Sequence, residues 1–217
     1  MSKLNCIAPA CLLILSGCAY QVPTNIKPSY NVYTAYDDKI PGHAAIFVDA
    51  SKGNETIKVT GLACSAHTFP VEARDSIETA IVETLKNLMD EVQKVDRPLT
   101  STQLTGVGSN VMVMVALEDM DIDLMVIPGF WTATMKSEAE IVLGVKVDTK
   151  DGRKVGTMVT GRGESTADSG GACEGGSIAI GEALEKALKQ ALSQMGEAIS
   201  NSDRLRIALR GSGKKRS

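Results

Sequence analysis

The run Val111-Met112-Val113-Met114-Val115-Ala116-Leu117, continued by Glu118-Asp119-Met120-Asp121-Ile122-Asp123-Leu124-Met125-Val126, decides the fold. Its first seven residues are apolar on both faces, the pattern of a strand in the middle of a sheet. Strict alternation follows, with Met120, Ile122, Leu124 and Val126 set against Asp119, Asp121 and Asp123. These apolar residues fall one register out from Val111, Val113 and Val115. Strand side chains alternate with a period of two, so the slip would turn the apolar face to water. One extra residue, a β-bulge near Glu118-Asp119, returns it to the core.

Downstream, Pro128-Gly129 marks a turn and a long strand returns. Trp131, Ala133, Met135, Ala139, Ile141, Leu143, Val145 and Val147 share one face of it; Thr132, Thr134, Lys136, Glu138 and Glu140 share the other. Pairing across Pro128-Gly129 sets Val126 opposite Trp131, Ile122 opposite Met135 and Asp121 opposite Lys136, so like faces meet. Asp151-Gly152 signals a tight hairpin into a strand over Val155–Thr160. The glycine-rich loop 170–176 leads into a last helix with Leu184, Leu188, Ala191, Met195 and Ile199 on its buried stripe.

Upstream, Ala44–Val48 and Thr56–Val59 flank Ser51-Lys52-Gly53-Asn54, which reads as a hairpin. After Pro70 a helix carries Ile77, Ile81, Leu85, Leu88, Val92 and Val95 as one apolar stripe, and 97–110 is a loop. The order is hairpin, helix, three antiparallel strands, helix. It predicts an α+β fold: a mainly antiparallel sheet with two amphipathic helices packed on one face.

The N-terminus carries an address. Lys3 is followed by an apolar run, Ile7 to Leu15, too short to cross a ~30 Å hydrocarbon core as a helix. Leu15-Ser16-Gly17-Cys18 resembles the lipobox of bacterial lipoproteins. The resemblance implies removal of residues 1–17 as a signal peptide, with a diacylglycerol and an acyl chain on Cys18 and no other cofactor. Two or more chains are needed for stable anchoring. Ala19, with no retention aspartate, implies the outer membrane, with the domain facing the periplasm. Residues 18–42, broken by Pro23, Pro28 and Pro41, read as a lipidated, flexible tether spanning roughly 25–30 Å. Residues 43–200 form the α+β domain, and 201–217 a basic, solvated tail.

The 217-residue chain has a formal net charge of −3, which argues against nucleic acid as a partner. Cys6 and Cys11 fall in the signal peptide. Cys64 and Cys173 remain, and in an oxidising compartment they read as a disulfide, with two buried thiols the alternative. All four tyrosines precede the domain. Tyr30, Tyr33 and Tyr36, with Phe130 and Trp131 beside the turn, are the candidate partner contacts. The alternatives are that the tyrosines fill grooves of their own domain and that Trp131 caps the core. Met112 and Met114 either form an oligomer or ligand surface or pack under helices.

Reactive chemistry is hard to assemble from these residues. Gly170 to Ser177 lacks the lysine of a phosphate loop, since Gly176 stands in its place. Asp119, Asp121 and Asp123 lack the glycine and glutamate of a calcium loop, having Leu124 and Phe130 instead, and read as the wet face of a strand. His43 and His67 make neither a metal spacing nor a nucleophile–base pair. No metal site, catalytic residue or enzyme activity is expected.

The run from Val111 through Glu118-Asp119-Met120-Asp121, with the closing helix 182–198, resembles the YajG-like outer-membrane lipoproteins. More distantly it resembles lipopolysaccharide-assembly lipoproteins and TolB N-terminal domains. The resemblance implies a non-enzymatic cell-envelope component that binds other envelope proteins, or itself as a homo-oligomer. The alternative is a carrier for a lipid or glycan-polymer intermediate.

Overall fold

The computed structural model describes residues 18–24, 32–60 and 63–213. Residues 1–17, the expected signal peptide, together with Tyr30 and the basic residues Lys214, Lys215 and Arg216, lie outside them. Among the described residues the fold is α+β, with a five-stranded mixed sheet, a two-stranded antiparallel sheet and four helices.

The long strand β5, Val111–Ile127, is the spine. Its register against β6, Thr134–Thr149, jumps between Leu117 and Asp119, so Glu118 is the bulged residue that the change of pattern demanded. A bulge leaves a backbone group without its ladder partner; here Lys52 Nζ donates to the Glu118 carbonyl. Val111, Val113, Val115 and Leu117 before the bulge, and Met120, Ile122 and Leu124 after it, all enter one core. Asp119, Asp121 and Asp123 stay exposed.

The β5–β6 hairpin is looser than expected. Val126 pairs with Met135, Ile122 with Ala139 and Asp121 with Glu140, four residues on from the simple Pro-Gly register. An even displacement leaves every side chain on its expected face, because the strand period is two. The paired residues Ile127 and Thr134 enclose the loop 128–133, so Trp131 leaves the strand. It is 90 % exposed and does not cap the core.

Thr149 pairs with Gly152 at the expected tight turn, and β7 runs over Gly152–Asp168, well past Thr160. Helix α3, Gly175–Ser200, lies against it. A Cβ on Gly161 would meet the Ala187 carbonyl oxygen at 1.9 Å, and one on Gly163 would meet that of Ala183 at 2.0 Å. Glycines in a strand here mark the close approach of another backbone. Ala183, Ala187 and Ala191, all fully buried, complete the contact.

The N-terminal half departs from the expected hairpin. β1, Ile40–Asp49, is parallel to both β5 and β4, Met89–Lys94, giving the sheet order β4-β1-β5-β6-β7. The sheet is therefore mixed, not mainly antiparallel throughout. Gly53 N–H does close a turn onto the Ala50 carbonyl, but the turn delivers β2, Asn54–Lys58, to β3, Thr68–Glu72, as a separate antiparallel pair. Parallel neighbours require a crossover, and helix α1, Arg74–Leu88, supplies it. The predicted stripe ends there. Val92 belongs to β4, paired with Ala44, and Val95 follows it, because pairing with β1 outcompetes another turn of helix.

Ile77, Ile81 and Leu85 of α1 and Leu184, Leu188, Met195 and Ile199 of α3 share the main core with β1, β5 and β6. A second, smaller cluster joins Ala45 and Met112 to Leu104 of α2, Ser101–Gly106, a short helix inside the expected loop. Thr100 caps α2 and Gln103 bonds back to it, a capping box. Met112 is thus a core residue, 1 % exposed.

Neither end behaves as a free segment where described. Tyr20 and Val22 donate to the Thr68 and Pro70 carbonyls, and Pro23 packs over Gly181 of α3. Further on, Val32 packs over Gly196 and Ala35 N–H donates to Asn201. Residues 203–213 form helix α4, not a solvated tail. Its Arg206 is 2 % exposed, donates to the Ser200 and Asp38 carbonyls, pairs with the Asp38 carboxylate and stacks 3.9 Å from the Tyr36 ring. The described parts of the expected tether, 18–24 and 32–42, therefore lie on the domain, the second held by a buried arginine.

Gly163→Ala is expected to lower stability by about 1–3 kcal/mol or more, because the added methyl meets backbone that cannot step aside. Gly171→Ala, with nothing within 4 Å, is the matched control and should be near neutral. Urea unfolding midpoints compare the two.

Candidate interaction surfaces

Two surfaces stand out. The first is the end of the domain where β5 finishes. Ala19 bridges to Thr68, and Cys18, exposed and unbonded, accepts a hydrogen bond from Thr68 N–H through its carbonyl. The Tyr20 ring stacks on Phe69, centroids 5.9 Å apart, and lies 5.5 Å from His67. Phe69 and Met135 meet over Gly176, whose missing side chain makes room for both. Ser169 N–H donates to the Ala133 carbonyl, and Thr60 N–H to that of Leu124. Cys64 and Cys173 form a disulfide, Cα atoms 6.1 Å apart, closing a separation of 109 residues. Both cysteines have positive φ, 62° and 65°, a conformation that β-carbon-bearing residues seldom adopt without a tie. Residues 18–20, the 63–68 segment, the 128–133 loop and the 169–174 loop thus converge at one end.

At its tip Phe130 and Trp131 are 89 % and 90 % exposed and meet each other edge to face, centroids 4.8 Å apart. Tyr33 is also exposed. Tyr36 is engaged internally: its hydroxyl donates to Asp203, which raises its pKa above the ordinary phenol value. Sequence reasoning grouped these residues by type; the structure separates them, with Phe130 and Trp131 at the Cys18 end and Tyr33 and Tyr36 beside α4.

The second surface is the outer side of the β5–β7 ribbon. A trough of about 440 Å³ is lined by Asp121, Asp123, Glu138, Glu140, Arg162 and Glu164. Asp121 stands opposite Glu140, Asp123 opposite Glu138, and Glu138 opposite Glu164. Like charges directly across a ladder are unfavourable. Lys136 answers Glu138 and Glu164 at 2.9 and 3.0 Å, and Arg162 answers Glu140 at 2.7 Å. Burial, then the charges of Asp121 and Asp119, raise the pKa of Glu55 on the adjoining β2. Among the described residues, no group of three or more His, Cys, Asp or Glu side chains is arranged to hold a metal ion. The wet-face aspartates were legible from alternation; Glu55, Glu164 and Arg162 were not, because only the register brings them alongside.

His43 pairs with Glu91 at 2.6 Å, beside a second cavity of about 480 Å³ bordered by α2, the 149–151 turn and α4. His67 is far from it, under Tyr20. Among the described residues no helix is long and apolar enough to cross a membrane.

No family model matches the chain, and no curated protein matches it. Among solved structures the chain is similar to protein XCC0632 of Xanthomonas campestris, assigned to family DUF330, with TM-score 0.44 and 12% identity over 92% of this chain and 100% of that one. It is also similar to the hypothetical protein CT253 of Chlamydia trachomatis, with TM-score 0.39 and 10% identity over 75% and 98% respectively. Neither is described as a YajG-like lipoprotein.

Loss of the disulfide, by Cys64→Ser with Cys173→Ser or by reductant, should cost about 2–5 kcal/mol in denaturant unfolding. Glu55 binds its proton more tightly in the folded than in the unfolded chain, so its contribution to stability falls as pH rises through the window above the ordinary carboxylate range. Glu55→Gln should therefore raise the unfolding midpoint at neutral pH, and the gain should vanish at acid pH where Glu55 is protonated.

Proposed function

We propose that this chain is a lipoprotein of the outer membrane, anchored through acylated Cys18, whose domain works in the periplasm as a protein-interaction or assembly module of the cell envelope. The position of Cys18 carries the reading. The cysteine of the lipobox-like run is exposed at the point where the described chain first joins the domain, so acyl chains there would leave the fold undisturbed. The similarity of the segment 15–18 to lipoprotein processing sites and the Cys64–Cys173 bond agree with an exported protein.

In this reading α1 and α3 cover one face of the sheet, and the carboxylate trough on the other side of β5–β7 is the surface offered to partners. Carboxylates held opposite one another weaken the isolated ribbon, and a cationic partner surface would relieve them. The carrier alternative needs an apolar cavity between helices and sheet. That space is occupied by Ile77, Leu85, Ile141, Leu143, Leu184 and Leu188, each with no exposed surface, which favours the module.

Labelled fatty acid should enter the wild-type chain and not Cys18→Ser; equal labelling would sink the anchor. A photo-crosslinker at Glu138 or Asp121 should capture envelope proteins in living cells. Adducts should weaken in Asp121→Asn with Glu138→Gln, while the isolated variant is stabilised by a few tenths to about 1 kcal/mol. Unchanged adducts would move the partner off this face.

A further inference from the structure

We propose that the Phe130–Trp131 loop is a second membrane contact, seated in the headgroup region of the same leaflet that holds the acyl chains of Cys18. The inference rests on the lipidated-Cys18 reading above and adds an orientation to it: the domain stands on the bilayer by this end.

The geometry leaves no slack between anchor and domain. From Cys18 onward the chain is hydrogen-bonded beside β3, and Tyr20 is stacked on Phe69, so processing at Cys18 places the lipid directly on the domain surface. Phe69 in turn meets Met135 over Gly176, and Met135 is the second residue of β6, the strand that leaves the 128–133 loop. The bilayer that holds Cys18 must therefore lie against the end from which Phe130 and Trp131 project.

The loop has the chemistry for that position. Pro128-Gly129-Phe130-Trp131-Thr132-Ala133 contains no ionisable side chain. Ile127 behind it is also exposed, at 44 %. Tryptophan favours the membrane interface because its ring is apolar and its indole N–H still finds a polar acceptor there. The trough carboxylates do not oppose the approach; Asp168, exposed opposite Thr134, is the acidic residue at the base of the loop. Asp123 lies four residues back along β5 from Ile127, roughly 13 Å at the strand rise, and so remains in water when the tip reaches the headgroups. A second copy or a protein partner would use the same rings, but neither is tied to this end by a covalent anchor.

Trp131 is the only tryptophan in the chain, so its emission reports on this loop alone. The acylated full-length product, extracted from cells, is reconstituted into vesicles of phosphatidylethanolamine and phosphatidylglycerol, and its attachment is checked by flotation and fatty-acid label. Relative to the unlipidated Cys18→Ser protein in buffer, emission should shift to shorter wavelength. It should lose intensity to lipids spin-labelled near the headgroup more than to lipids labelled at the chain end, and be shielded from aqueous iodide. Phe130→Ser, which keeps the reporter, should reduce the lipid quenching. Floated, labelled protein whose Trp131 emission stays that of a solvated indole, with undiminished iodide quenching, would overturn the proposal and leave the anchor standing. A shift that grows with protein density and ignores the lipid quenchers would overturn it in favour of a second copy. Absence of both label and flotation would remove the anchor, and the proposal with it.

Discussion

One inserted residue, Glu118, makes the rest of the architecture workable. β5 must present apolar side chains to one core over seventeen residues, yet its two halves are written in opposite registers. Without the bulge, Met120, Ile122 and Leu124 would face water and the three aspartates would face α3. With it, β5, β6 and β7 continue past the end of β1 as a three-stranded ribbon, one side apolar and one side acidic. Lys52 binds the Glu118 carbonyl, and Gly144 opposite leaves space for the Glu118 side chain. The kink is thus satisfied on both strands.

That extension creates the end of the molecule at which Cys18, the disulfide and the aromatic loop meet. A ribbon projecting beyond its neighbours needs cover, and α3 provides it by lying on β7 at backbone contact through Gly161 and Gly163. The β2–β3 pair closes a further side, and the Cys64–Cys173 bond ties its connecting segment to the loop before α3. Residues 18–22 then dock beside β3. Cys18, the disulfide and the aromatic tip are brought together by packing, although they lie up to 155 residues apart in the chain.

Much of this was legible in advance. The bulge followed from a change of parity, the faces of β6 from its alternation, α3 from its stripe and the turn at Gly152 from Asp-Gly. Other features were misread for identifiable reasons. Val92 and Val95 extend the spacing of α1 but serve β4 and its flank, because a six-residue strand and two more helical turns share the same apolar positions at that length. Ser51-Lys52-Gly53-Asn54 is a real turn whose two strands nevertheless join different sheets, and local sequence does not record which strand a segment pairs with. Gly161 and Gly163 lie in an ordinary-looking strand pattern, and only the packing of α3 gives them their role.

The sequence by itself determined the periodic part of this protein: which residues are apolar together, where the chain must turn, and where the lipobox-like cysteine stands. These depend on side-chain alternation and backbone preference within a few residues, and both are local. Only the tertiary structure decided that β1 is a parallel inner strand, that residues 32–38 are held on the domain by Asn201 and Arg206, and that Cys18 shares an end with Trp131. Those outcomes come from long-range pairing and burial, where many arrangements satisfy the local pattern and only the packed core selects one.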